Sequence, residues 1–156
     1  MASARYWLMK SEPESYSIDD LKRDGKTHWD GVRNYQARNF MRDDMRVGDL
    51  VLFYHSNAEP PGVAGIAQVS KKAYPDFSAF DPKDKHYDPK SSKANPTWMM
   101  VDLEFVEKFL RLVSLQELRD HPKLGTLLVL KRAQRLSIQP VEKAHFEIIR
   151  KMGKKG

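Results

Sequence analysis

Ser11 and Glu12 stand side by side, a hydroxyl and a carboxylate of the kinds that serve as nucleophile and general base. A hydrolytic triad needs a third group to orient the base, and nothing near these two supplies it. A carboxylate next to Pro13 suits another task, accepting hydrogen bonds that fix a neighbouring loop. The five histidines, at 28, 55, 86, 121 and 145, are scattered, and no pair has the H-x-x-x-H spacing that sets two imidazoles on one helical face. There is no cysteine, which removes thiolate nucleophiles, disulfides and thiolate metal sites. Phosphate-binding glycine loops, the G-x-S-x-G elbow and the G-x-G-x-x-G fingerprint are absent too. The sequence thus calls for no cofactor or metal, and the missing base constellation counts against an enzyme.

What remains is polar and cationic chemistry. The formal net charge is +6, which points to an anionic partner. Residues 5–49 balance Lys and Arg against Asp and Glu. Much of the excess gathers at the end of the chain, in Lys143, Arg150, Lys151, Lys154 and Lys155 against Glu142 and Glu147. A solubilising basic tail over 153–156 accounts for that part equally well. A length of 156 residues fits one domain, here 1–152, that buries roughly 70% of its unfolded surface. The apolar run Tyr6–Met9 is too short for a signal peptide, and no stretch approaches the roughly 20 apolar residues of a membrane span. The expectation is a soluble, intracellular protein with no membrane partner.

The elements that must position any site follow from pattern. Tyr6-Trp7-Leu8-Met9 reads as a buried first strand, ended by Pro13. Ser17 as N-cap, Asp19 and Asp20 in the first turn and Gly25 as a stop predict a helix over 18–24. A looser periodicity predicts a second helix over 35–42. Leu50–His55 is rich in strand formers, Asn57–Gly62 is a turn, and Val63–Val69 is a further strand. Tyr74–Pro96 carries four prolines and many charges and reads as a long functional or mobile loop. Trp98–Phe105 alternates with period two. Ser114 and Glu117 form a capping-box pattern for a helix over 115–119. A last strand over 134–138 and a helix over 141–152, with Ala144, Ile148, Ile149 and Met152 inward, close the chain. Strands and helices do not alternate regularly, which favours an α+β domain on a mixed or antiparallel, barrel-like sheet over a doubly wound one.

Four segments in register resemble the EVE domain family. They are Tyr6–Pro13, Trp29–Asn39, Gly48-Asp49 followed by Phe53–Ser56, and Gly62 through Gly65-Ile66-Ala67 to Tyr74-Pro75-Asp76. The likeness continues through Trp98 to the C-terminal helix and covers essentially the whole chain. It implies a PUA-like mixed β-barrel with flanking helices, related to the YTH domains that read methylated adenine in RNA. It further implies a non-catalytic, monomeric nucleic-acid-binding module that recognises a modified base of DNA or RNA in an aromatic pocket. Such a module would be nuclear in a eukaryote and cytoplasmic in a bacterium. The competing readings are a small enzyme acting on a nucleic acid or nucleotide, and a protein-interaction scaffold.

Reading one base requires a flat apolar surface to stack on it, worth about 1–3 kcal/mol per aromatic. It also requires directed polar groups at the base edge, because an unmatched buried edge leaves unpaired donors. Trp29, in a polar glycine-containing loop, is the first stacking candidate; otherwise it caps the end of the barrel. Tyr54, opposite Phe53 by strand alternation, is the second; otherwise it is an ordinary sheet tyrosine. Asn34 offers a donor and an acceptor on one planar group, or else caps the helix at 35. Ser11 and Ser56 either line the rim or satisfy strand-end backbone. Lys10 and Arg33 either meet phosphate or face solvent, and Glu12 either accepts from an exocyclic amine or ties down a loop. Val32, between Trp29 and Asn34, completes the candidate set. Trp29, Asn34 and Tyr54 are expected to converge on one cavity. Lys83, Lys85, Lys90 and Lys93 either line a groove for the nucleic-acid backbone or are solvated beside Asp81, Asp84 and Asp88. Trp7, Met9 and Trp98 are assigned to the core.

Overall fold

The computed structural model describes residues 5–131 and 136–155. In chain order it contains β1 (Tyr6–Ser11), α1 (Ile18–Asp24), β2 (Lys26–His28), α2 (Tyr35–Asn39), β3 (Leu50–His55), β4 (Gly62–Pro75), β5 (Met99–Ser114), α3 (Leu115–Asp120), β6 (Ile138–Val141) and α4 (Lys143–Gly153). A π-helical turn, Phe40–Asp44, prolongs α2, and 3-10 turns lie at Phe77–Phe80 and Leu128–Leu130. No helix among the described residues is long and apolar enough to cross a membrane.

The strands form one mixed sheet in the order β2-β5-β4-β3-β1-β6. β1 runs parallel to β3, and every other neighbouring pair is antiparallel. The sheet is not closed into the expected PUA-like barrel. The ladder is open among the described residues, with β2 and β6 as its two ends. Four register shifts along the β4–β5 pair bend these long strands, since an unpaired extra residue kinks a ladder and adds twist.

Strand alternation splits the core into two layers. Trp7 and Met9 of β1 and Val51 and Phe53 of β3 face one layer, together with Leu21 of α1, Ala37 of α2 and Met41. Leu8, Leu52 and Tyr54 face the other, with Leu118 of α3 and Phe146 and Ile149 of α4. Trp7, Met9 and Trp98 are all buried. At the mouth of β1, buried Asp49 accepts from the Trp7 indole (3.0 Å) and from the amides of Arg5 (3.0 Å) and Arg46 (3.0 Å).

Both capping boxes are present. The Ser17 hydroxyl accepts from the Asp20 amide while the Asp20 carboxylate accepts from Ser17, and Ser114 and Glu117 do the same at α3. Gly25, at φ 79°, ends α1 in the left-handed region where glycine carries no Cβ penalty. Elsewhere the sheet departs from expectation. β2 is an additional short strand, β4 runs on to Pro75, and β5 continues nine residues past Phe105, to Ser114. The strand expected over 134–138 begins outside the described residues, and β6 starts at Ile138. In α4, Ala144 is exposed, while His145 and Phe146 turn inward.

Candidate functional site

A cleft of about 900 Å³ opens where several loops meet beside the C-terminal end of β1. This lies within the ~300–1,000 Å³ range typical of ligand sites. One wall is Lys10 and Ser11 of β1 with Tyr16 beyond it; another is His28 of β2 and the loop Trp29–Arg33 that follows; the third is the segment Lys83–His86.

The loop after β2 is held by a buried carboxylate. Asp76 is fully buried and accepts four hydrogen bonds. Its Oδ2 takes the Gly31 amide (2.8 Å) and the Arg33 guanidinium (3.0 Å); its Oδ1 takes the Ser78 amide (2.8 Å) and hydroxyl (2.6 Å). Burial alone would raise the Asp76 carboxyl, but hydrogen bonds from Ser78, Gly31 and Arg33 outweigh it and hold it below the ordinary carboxylate value. Arg33 spends its remaining donors on the His86 carbonyl (2.7 and 3.1 Å), the Ser78 hydroxyl (3.2 Å) and the Val32 carbonyl (3.0 Å), and lies over the Trp98 ring at 5.3 Å. Gly31, at φ 81°, brings its backbone against the His86 imidazole so closely that a Cβ there would sit 2.5 Å from the ring.

The loop carrying Lys83–His86 has no regular structure, yet it is ordered locally by aspartates. Asp81, Asp84 and Asp88 each accept from the amide two residues on, at 2.8–2.9 Å, the turn geometry that short carboxylates favour. Asp88 also accepts from the Trp98 indole at 2.7 Å, which holds its carboxyl low.

Five of the nine candidates line this cleft: Lys10, Ser11, Trp29, Val32 and Arg33. Trp29 is half-buried, anchored by its amide to the Val101 carbonyl (2.8 Å) and set at right angles to Phe53 (5.6 Å, 89°). Burial pushes the Lys10 ammonium below its ordinary value. The Ser11 hydroxyl donates to the Tyr16 carbonyl (2.6 Å), and the Arg33 guanidinium is committed to the clasp just described.

The other four lie off the cleft, and the expected convergence of Trp29, Asn34 and Tyr54 is not met. Asn34 caps α2, accepting from the Ala37 amide at 2.9 Å. Tyr54 sits in the second core layer, 4% exposed. Alternation does set it opposite Phe53, but Phe53 is the residue on the Trp29 side. Glu12 accepts from the Asn57 side chain (2.7 Å), and the Ser56 amide donates to the Ser11 carbonyl (2.9 Å). His55 accepts the Ile18 amide on Nε2 at 3.1 Å, and burial lowers its pKa, which keeps the acceptor lone pair free of a proton. Of the loop lysines, Lys83 and Lys85 line the cleft. His28, Tyr16, Asp30 and Ser137 line it too. Asp30 lies in the Trp29–Asn39 segment of the resemblance, whereas no sequence signal marked the other three, which are brought in by pairing or loop docking rather than by a local motif. Among the described residues no group of three His, Cys, Asp or Glu side chains could hold a metal.

Fold and cleft define a small α+β domain with one polar cleft, walled by an indole and lined by lysines. The chain matches the EVE domain model over residues 5–152 and belongs to that family. Human thymocyte nuclear protein 1 is 46% identical over 162 residues, covering 92% of this chain and 72% of that protein. A hypothetical protein from Leishmania major superposes with a TM-score of 0.92 at 47% identity, covering 98% and 96% of the two chains. The human THYN1 protein, solved in complex with 5-methylcytosine containing DNA, superposes with a TM-score of 0.90 at 43% identity, covering 98% and 99%. The YTH domain of a Zygosaccharomyces rouxii protein shares the fold at a TM-score of 0.57 and 15% identity, covering 100% and 88%.

Proposed function

We propose that the cleft takes one modified base of a nucleic acid, with 5-methylcytosine in DNA as its first candidate, and binds it without chemistry. The observation that carries this is Trp29, a half-buried indole on the wall of a polar cleft that Lys10, Lys83 and Lys85 also line. A base stacked on the indole would have backbone and side-chain polar groups of residues 28–33 at its edge, and its phosphates would meet the lysines. The human relative solved with methylated DNA supports the choice of ligand. The same reading takes the bent sheet as a PUA-like barrel opened between β2 and β6, acting as a monomer, in the nucleus where the chain is eukaryotic.

The enzymatic alternative finds little support at the residues that suggested it. A Ser11 hydroxyl that donates to a carbonyl is not activated by a base, and Glu12 is occupied by Asn57.

Binding to labelled oligonucleotides carrying one 5-methylcytosine tests the proposal. Trp29→Ala should weaken affinity about tenfold or more, the consequence of losing a stack worth about 1–3 kcal/mol. Tyr54→Phe, on the far side of the sheet, should leave it unchanged. Equal affinity of the wild type and Trp29→Ala would overturn the assignment.

A further inference from the structure

Phe77 has no role in holding the cleft, and it is not folded away. Its ring is 52% exposed and packs edge-on against His28, with centroids 4.8 Å apart at 66°. His28 lines the cleft, so Phe77 stands at its rim. Tyr35 is exposed as well, but its ring is stacked against Trp98 at 4.9 Å and has Arg38 over it at 4.9 Å. Phe77 has its open side turned to solvent.

The backbone beneath Phe77 is fixed. It opens the 3-10 turn capped by Asp76, the same buried carboxylate that binds Gly31 and Arg33 of the cleft wall. The backbone that carries the ring is therefore fixed one residue from the group that sets the cleft's shape. The half of its surface left in water contributes nothing to the fold through burial.

A base that leaves a duplex for a pocket vacates a slot between its two former neighbours, which lose a stacking partner. Apolar side chains that enter the base stack are a known way of filling or prising such gaps. We infer that Phe77 is the wedge of this domain: while the cleft holds a base drawn out of double-stranded DNA, the Phe77 ring occupies the slot left behind. This rests on the base-reading assignment for the cleft. It adds that the substrate is a duplex, opened by this chain.

The test compares the whole protein on one 5-methylcytosine sequence offered as single strand and as duplex, with wild type, Phe77→Ala, Phe77→Leu and Trp29→Ala. Phe77→Ala should weaken duplex binding about tenfold and change single-strand binding less than about twofold, because only the duplex needs its gap filled. Phe77→Leu, which keeps apolar bulk, should recover part of the loss. With 2-aminopurine placed beside the methylated base, the wild type should quench the probe more than Phe77→Ala does. Unchanged duplex affinity in Phe77→Ala, equal losses on both substrates, or a wild type that binds single strands alone would each overturn the wedge and leave the cleft assignment standing. A Trp29→Ala variant that matches wild type on both substrates would overturn the cleft assignment, and the wedge with it.

Discussion

At the scale of single residues, Asp76 shapes the cleft from behind its wall, fully buried and not itself part of the lining. Each of its oxygens accepts from two donors, so an amide in its place must turn an NH₂ group against one donor pair or the other. Asp76→Asn should therefore lose about 3 kcal/mol of stability, the scale of breaking a buried charged pair. The pH dependence has a definite sign. The folded carboxyl titrates below its unfolded value of about 3.9, so its contribution is complete above that pH and disappears as pH falls through the folded value. Thermal melts should show the wild type losing stability on acidification below about pH 4, with the gap to Asp76→Asn closing there; a gap independent of pH would refute this. Legibility was uneven at this scale. Trp29 was readable because an indole in a polar loop lacks a local packing reason. Asp76 was not, since its donors Gly31 and Arg33 lie 45 and 43 residues away. Tyr54 shows a narrower failure: alternation separated it from Phe53, but nothing local says which face of a strand carries the cleft.

At the scale of elements, the cleft depends on docking the loop after β2 against the segment Lys83–His86, and the two touch at Gly31 and Arg33. Gly31→Ala meets two obstacles, a left-handed φ of 81° and a Cβ 2.5 Å from the His86 ring. Their combined cost is about 2 kcal/mol or more. The variant should melt earlier and bind the methylated oligonucleotide more weakly, since the loop carries Trp29. Adding His86→Ala removes the clash while keeping the carbonyl that Arg33 uses, so it should recover the steric part and not the backbone part. Full recovery would mean that φ costs nothing here. The elements legible in sequence were those written in local chemistry: α1, between its Ser17 capping box and Gly25, and β3, a run of strand formers. β2 was invisible because Lys26-Thr27-His28 has no apolar face of its own and exists through pairing with β5. The length of β5 was hidden for a related reason. Beyond Phe105 the pairing with β4 shifts register, and a bent ladder does not keep the two-residue period that announces a strand.

At the scale of the whole molecule, the question is whether the net charge of +6 serves binding. Half of the sequence excess lies at the C-terminal end, where Lys154 and Lys155 are exposed, whereas the cleft has its own cations in Lys10, Lys83 and Lys85. The two sets separate by salt dependence. Each phosphate neutralised on a duplex releases condensed counterions and contributes about −0.9 to the slope of log K against log salt. If Lys83 and Lys85 meet phosphates, replacing both with Gln should make that slope shallower by about 1.8, besides weakening binding at low salt. Replacing Lys154 and Lys155 with Gln should leave the slope as it was, because those charges follow the end of α4 and do not line the cleft. Titrations of the methylated duplex across a salt series decide between the sets. A slope lost with the tail pair would move the nucleic-acid track to α4. A wild-type response that is flat from the start would mean that no phosphate is contacted, and the ligand of the cleft would be a free nucleoside rather than a base within a strand.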